Sequence, residues 1–432
     1  MTRPSGPTGS EGAGTATAEP PAPPSLSRNR DFQLLWTGAG ISYLGSRVSA
    51  IAYSLLILWS TGSAAKTGLV TTAALLPALV VQLPAGLVVD HWDRRRTMVA
   101  CDAGRLLLVG SVAVVVASGR VWLPQLLVVA FCENSLMVIY RVAERAAVPN
   151  VVSGSQLGTA MARNEARGQG AGLIGQPIGT FLFAAAQWLP FGFTAINHLI
   201  SLTTLLFIRQ PLQNRAVRRP PQRIRQRLAE GFTWIWHQTY LRWALLLIAG
   251  SNILFQVLTL ALIVIVHHEG HSAVTIGFIA VANGVGGMIG ALTSGWWMRR
   301  LSIRRIIIGI NLCWAALMPL IAFADSPVYL AAVYFGMIYA AGVGNVAGLT
   351  YQLKITPDNM QGRVGSVANL LTSGANSVGA LAGGFMLASW GSRHTVFVVG
   401  GVMLTLALLS LFAFAGRKRK ALEAELGAGV IR

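Results

Sequence analysis

Acidic residues are scarce in this chain: 15 Asp and Glu stand among 432 residues, against 34 Lys and Arg. Charged residues of both signs reach only 11%, where a soluble domain carries about 25%. Hydrophobic residues make up 53% and the mean hydropathy is +0.57. A water-soluble globular domain is thereby excluded, and the chain is expected to lie in lipid. Cysteine is nearly missing too. Cys101, Cys132 and Cys313 fall in three different apolar runs without a CxxC spacing, which excludes a disulfide framework and leaves them as small core hydrophobes. There is no HExxH, no GxSxG and no His/Asp cluster on neighbouring spans, so a membrane-embedded enzyme lacks its catalytic set. No charged-then-apolar leader with a cleavage site precedes the first apolar run, and that run is expected to insert directly.

Long apolar runs are abundant. Stretches of about 20 residues, the length that crosses a hydrocarbon core of roughly 30 Å, can be laid out twelve times between residues 33 and 415. Barrel strands need only about ten alternating residues, so the expected fold is an all-α integral membrane protein of twelve helices. The net charge of +19 follows from orientation. With both termini inside, 29 of the 34 Lys and Arg fall on the inner side, and only Lys66, Arg120 and Arg393 on the outer side. That asymmetry is the positive-inside rule and predicts an N-in, C-in, multi-pass protein of the cell membrane. No nucleic-acid partner is expected; the bilayer is the partner that the charge serves.

Residues 1–30 are rich in Pro, Gly, Ser, Thr and Ala and read as a disordered cytoplasmic tail. The longest polar interruption, 209–240, separates six apolar runs (31–208) from six more (241–416), and a basic tail follows at 417–432. Within the interruption, 222–236 has the pattern of an amphipathic helix with Ile224, Leu228, Phe232 and Ile235 facing in. The halves repeat each other. Gly86 precedes Arg94, Arg95 and Arg96 just as Gly295 precedes Arg304 and Arg305, and 149–179 matches 357–383. Parallel six-helix halves are a known plan for secondary transporters.

The turn Gly86–Arg96 holds one carboxylate that topology does not require. Asp90 ends the second run, and a helix N-terminus, carrying about half a positive charge, is expected opposite it at the start of the eleventh. Asp90 therefore reads as a latch between the halves when the inner side is shut. The three arginines are expected to hold the loop at the headgroups and to pair with Asp93 or Glu144, or simply to mark the inner side.

These residues resemble the major facilitator superfamily over essentially all of 30–415. Its signature between helices 2 and 3 is matched by Gly86, Asp90, Arg94 and Arg95, while His91 and Asp93 depart from the usual basic residue and glycine. The fifth run, with Gly168, Gly172, Gly175, Pro177 and Gly179, is similar to the antiporter motif of drug exporters, though Gln176 interrupts its Gly-Pro pair. The stretch 143–177 looks like the enterobactin and macrolide exporter branch. The resemblance implies alternating access, a proton gradient as the energy source, no cofactor or metal, and a functional monomer. It also implies that helices 1, 4, 7 and 10 line the cavity.

Ionisable residues at depth are the remaining signal, because each is costly unless paired or hydrated. Arg47 and Glu133 lie at similar depths on helices 1 and 4, so an Arg47–Glu133 pair is expected, either as a proton switch or as a permanent ion pair. The branch often carries an acid in helix 1 where Ser46 stands here, which shifts the coupling role to Glu133. Asp102 and Arg105, three apart on one helix face, read as a local pair with proton transfer as the alternative. Arg163 and Glu165 look like interface residues. Candidate substrate contacts are Tyr43, Asn134, Asn252, Phe255, Gln256, Tyr339 and Asn345, for each of which helix packing is an equal reading. His267, His268, His271 and Glu269 are expected to form an exposed polar turn rather than a metal site. The expected activity is proton-coupled export of a small amphipathic or hydrophobic compound. Proton-coupled import of a nutrient is the alternative.

Overall fold

The computed structural model describes residues 25–213 and 224–415, and helices are the only regular structure among them. In chain order they are α1 (Arg30–Thr61), α2 (Ala64–Leu75), α3 (Pro77–Val80), α4 (Gln82–His91), α5 (Arg94–Ala117), α6 (Leu123–Val151) and α7 (Leu157–Ala185). They continue with α8 (Leu189–Phe207), α9 (Ile224–His237), α10 (Thr239–His268), α11 (Ala273–Arg300), α12 (Ile303–Leu317), α13 (Pro327–Ile355) and α14 (Asp358–Ala415).

Local chemistry sets the boundaries. Asn29, Ser63, Asp93, Ser302 and Ser326 each accept a backbone N–H of the first turn that follows, satisfying donors that a helix start leaves open. Pro77 and Pro84 break the second apolar run, whose parts Ala64–Val80 and Pro84–His91 meet at 59°. Gly391 sits at φ 72° inside α14, a left-handed conformation that glycine adopts without a Cβ clash. The helix is not continuous there.

Nine described helices are long and apolar enough to cross a membrane, ten if the bent pair counts as one span. The expected number was twelve. Among the nine, Met360–Phe412 is one stretch that runs across Gly391, and α7 is not apolar enough to be included. The first half of α7 carries Arg163, Glu165 and Arg167 among glycines, which lowers its hydropathy.

Residues 25–30 depart from the expected disordered tail. Leu26 is buried in the apolar core and the Asn29 amide donates to the Val151 carbonyl at 2.6 Å. Residues 1–24 and 416–432, with the rest of both tails, lie outside the described residues, as do 214–223 of the linker. The linker helix is present as α9, but Phe232 faces out, stacked on Trp236 at 5.4 Å, while Ile235 is buried. Stacking covers part of both rings without burying either.

Helices α1, α2, α5, α6, α7 and α8 pack on one another, and α10 to α14 on one another. The groups meet along two seams, α2 against α14 and α7 against α11. On the first seam a Cβ at Gly68 would stand 2.6 Å from the Gly384 Cα; on the second, Phe181 packs edge-on against Phe278 at 5.7 Å. Both contacts, and Trp59 against His267 at 4.7 Å, lie toward the end of the molecule that carries the turns at Gly62, Gly119, Gly270 and Gly391. A single apolar cluster spans both groups at that end, from Leu55–Leu58 to Leu260–Val266. At the arginine-loop end the cores are separate, one for the first group and two for the second. The molecule is thus sealed at one end and parted at the other.

Candidate functional site

Four helices of the first group converge on a buried polar cluster. On α1, Ser42, Ser46, Ser49 and Tyr53 recur at helical spacing and form one stripe. Opposite them stand Asp102 and Arg105 of α5, Glu133 of α6 and His198 of α8. Asp102, Arg105 and His198 are 0% exposed and Glu133 is 1%. Arg105 lies 3.3 Å from the Asp102 carboxylate and donates to Ser42 at 2.9 Å and to Ser46. The Ser42 hydroxyl donates to Asp102 at 2.9 Å and lies 3.2 Å from His198 Nδ1. Ser49 and Tyr53 each donate to Glu133 at 2.7 Å. His198 stands between the two carboxylates, Nδ1 3.5 Å from Asp102 and Nε2 4.0 Å from Glu133. Three atoms of the cluster have no hydrogen-bond partner: Asp102 Oδ2, Arg105 Nε and His198 Nε2.

Charge counting defines what such a cluster can do. Two carboxylates and one guanidinium leave one negative charge, and a low-dielectric interior penalises an uncompensated charge by several kcal/mol. One added proton, on His198 or on a carboxylate, restores neutrality. The cluster is therefore chemically suited to bind a single proton and to pass it between neighbours.

Beside it, between α1, α6 and α7 on the parted side, lies a cavity of about 550 Å³. Ser42 and Tyr140 contribute to its wall, so Ser42 belongs both to the cavity wall and to the cluster. Arg47 and Arg141 lie over the ring of Tyr43 at 4.8 and 5.5 Å, and Arg47 also donates to the Tyr43 hydroxyl. Deeper in the wall Arg167 donates to Glu144 at 2.7 Å, and at the rim Arg145 lies 3.9 Å from Glu165.

Several expected pairings are corrected by this geometry. Arg47 does not pair with Glu133: it faces the cavity with Tyr43, while Glu133 is held by Ser49 and Tyr53. The loop arginines do not pair with Asp93 or Glu144 through their side chains. Arg94 donates to the carbonyls of Ala146 and Leu212, Arg95 to those of Leu205 and Leu206, and Asp93 accepts from the Arg96 backbone N–H. Asp102 and Arg105 do pair, but inside the larger cluster. His198 was missed by sequence reasoning, although an ionisable side chain inside the run 189–207 carries the same signal that picked out Glu133.

The other candidates are scattered. Asp90 is exposed on α4, which packs against α6, and no described residue pairs with it. Gly86 has open space around its Cα. Gly175 and Gly179 pack on α1, at Arg47 and at Val48 with Ile51, and Pro177 is buried with them. Asn134 donates to its own helix at Ala130. Phe255 packs edge-on against Trp314 at 4.8 Å. The Tyr339 hydroxyl accepts from Trp297 at 2.9 Å and Thr293 at 3.1 Å, a packing role between α13 and α11. Gln256 abuts Gly379 of α14, Asn252 is half-buried on α10 and Asn345 is exposed on α13. Of the seven substrate candidates, Tyr43 borders the cavity described above. His271 lies 3.7 Å from Glu269.

A two-group helical bundle with a cavity open at one end is the architecture of a major facilitator transporter. A family profile described as "transmembrane secretion effector" matches residues 22–427, and the chain belongs to that family. It is 24% identical over 395 residues to the multidrug efflux pump Tap of Mycolicibacterium fortuitum, covering 88% of this chain and 94% of that one. It is 25% identical over 394 residues to macrolide efflux protein A of Streptococcus pyogenes, with the same coverage. Among solved structures, a mutant of the nucleoside transporter NupG superposes with a TM-score of 0.71 at 11% identity over 89% of this chain and all of that one. A D-xylose–proton symporter gives 0.64 at 12% identity over 89% and 97%. The chain is a membrane transporter and not an enzyme.

Proposed function

We propose that the protein is a proton-coupled exporter of a small amphipathic compound in the cell membrane, working by alternating access. Counting α2–α4 as one bent span, α7 as a span and α14 as two gives twelve crossings in two halves, 31–208 and 241–416, joined by 209–240. Both termini then lie in the cytoplasm, because the arginine-rich loops lie on that side. On this orientation the parted end is the cytoplasmic one, which makes the arrangement an inward-facing state. Asp90 takes up its latch role only in the opposite state, when the parted end closes and α4 meets the start of the eleventh span.

The observation that carries coupling is the fully buried set Asp102–Arg105–Glu133–His198 beside the cavity. A proton entering from outside neutralises the set and favours the inward-facing state. Its loss to the cytoplasm restores the negative charge and resets the cycle. Export rather than import follows the efflux relatives.

Everted vesicles loaded with an imposed proton gradient test the reading. Glu133→Gln and His198→Gln are expected to abolish uphill uptake while leaving downhill exchange. Uphill uptake at the wild-type rate in both variants would remove the cluster from coupling, and accumulation only by right-side-out cells would reverse the direction.

A further inference from the structure

The cavity wall holds four arginines, Arg47, Arg141, Arg145 and Arg167, against two glutamates, Glu144 and Glu165. The two glutamates are already engaged, Glu144 by Arg167 and Glu165 by Arg145. Among the described residues no carboxylate lies within ion-pair distance of Arg47 or Arg141, and both lean on the single ring of Tyr43. Topology does not require them there. Arg47 is 17 residues into α1, about 26 Å along its axis, and Arg141 is ten residues from the end of α6, about 15 Å. Headgroup arginines belong at helix ends. Two like charges sharing one ring repel, and the repulsion grows as the medium becomes less polar. A guanidinium supplies up to five donors arranged for a planar oxyanion. The wall also offers Tyr140, Met137 and Met161, polarisable surfaces that suit an aromatic body.

We infer that Arg47 and Arg141, with Tyr43 between them, form the seat of an organic anion, so that the transported compound bears a carboxylate or similar oxyanion on an aromatic frame. This rests on the exporter reading and names its substrate class. The guanidinium carbons of Arg47 and Arg141 lie 4.8 and 5.5 Å from the centroid of the Tyr43 ring, and an anion seated beside that ring relieves their repulsion. The proton cluster lies beyond Ser42 and Tyr140, so an anion at the seat sits next to the group whose charge changes during the cycle.

The test uses full-length protein purified in a non-ionic detergent and two dyes that share a xanthene core, fluorescein as a dianion and rhodamine 6G as a cation. Fluorescence anisotropy is expected to show fluorescein binding at least about tenfold tighter than rhodamine 6G. Arg47→Gln and Arg141→Gln should each weaken fluorescein by roughly ten- to a hundredfold, the range of a lost charge-assisted hydrogen bond, and should not weaken rhodamine 6G, which loses a repulsive charge. Arg141→Lys should recover part of the loss, which a merely misfolded variant would not. Equal or tighter binding of rhodamine 6G, failure of fluorescein to bind, or full affinity in both Gln variants overturns the seat. So does displacement of fluorescein by phosphatidylglycerol but not phosphatidylcholine in mixed micelles, which assigns the arginines to a lipid headgroup. Everted vesicles separate this from the export reading: charge-selective binding without uptake sinks export and keeps the seat, whereas uptake blind to dye charge does the reverse.

Discussion

The first half of the chain buries Asp31, Asp102, Arg105, Glu133, Glu144 and His198, whereas the buried polar residues described in the second half are Ser251, Ser294, Asn311, Thr356, Ser377, Thr395 and Ser410. Two halves that share a fold thus have interiors of different chemistry. In the second half every polar side chain just named is a hydroxyl or an amide, and Tyr339 joins Thr293 and Trp297 in neutral hydrogen bonds. In the first, Asp102 and Arg105 of α5, Glu133 of α6 and His198 of α8 gather along the hydroxyl stripe of α1. A charged interior responds to one proton; a neutral one does not. On the coupling proposed above, the second half is the counter-surface against which the first half changes state.

That contrast can be broken, most severely at Arg105. Arg105→Met leaves two buried carboxylates without their cation, and thermal unfolding in detergent should show a loss of about 3–5 kcal/mol. Asp102→Asn in the same background should recover part of it. A smaller effect on stability and a total effect on coupling is expected for Glu133→Gln: uphill transport in everted vesicles falls to background while downhill exchange continues. Asp90→Asn, outside the cluster but in the same half, should slow turnover by a few-fold, about 1 kcal/mol of one state's stability, with dye affinity unchanged. The control in the second half is Tyr339→Phe. It should cost about 1 kcal/mol in unfolding and leave the proton dependence of transport where it was; a shift in that dependence would erase the distinction between the halves.

The halves also differ in how far the sequence exposes them. The apolar runs, the turn at Gly86–Arg96 and the linker helix are local features, and all are visible in composition and spacing. Depth is local as well, since residues can be counted from a helix end, and depth matched Arg47 to Glu133. Direction around the helix is what decided against the pair. Arg47 and Ser49 are two residues apart, roughly 200° around the axis, so the stripe Ser42–Ser46–Ser49–Tyr53 faces Glu133 while Arg47 faces the cavity. Nothing in the chain says which face of α1 meets α6, because that is set by packing against α7 and α8. His198 escaped for a related reason: it lies 96 residues from Asp102 and 65 from Glu133, with no spacing rule to join them. The clue was the lone imidazole within an apolar helix. For Phe255 and Tyr339 the two readings of cavity and packing are equal in the sequence, and the contacts found are with Trp314 and Trp297, as aromatic side chains with an apolar neighbour commonly make.

The single apolar cluster that closes one end has a thermal consequence. To open that end, the protein must expose Leu55–Leu58 and Leu260–Val266 to water entering between the seams. Exposure of apolar surface to water raises the heat capacity, so the balance between the two states is curved in temperature rather than linear. Cooling weakens the burial that holds the seal. On the alternating access proposed above, the protein should spend more of its time with this end open in the cold, and its turnover should follow a bent rather than a straight Arrhenius line.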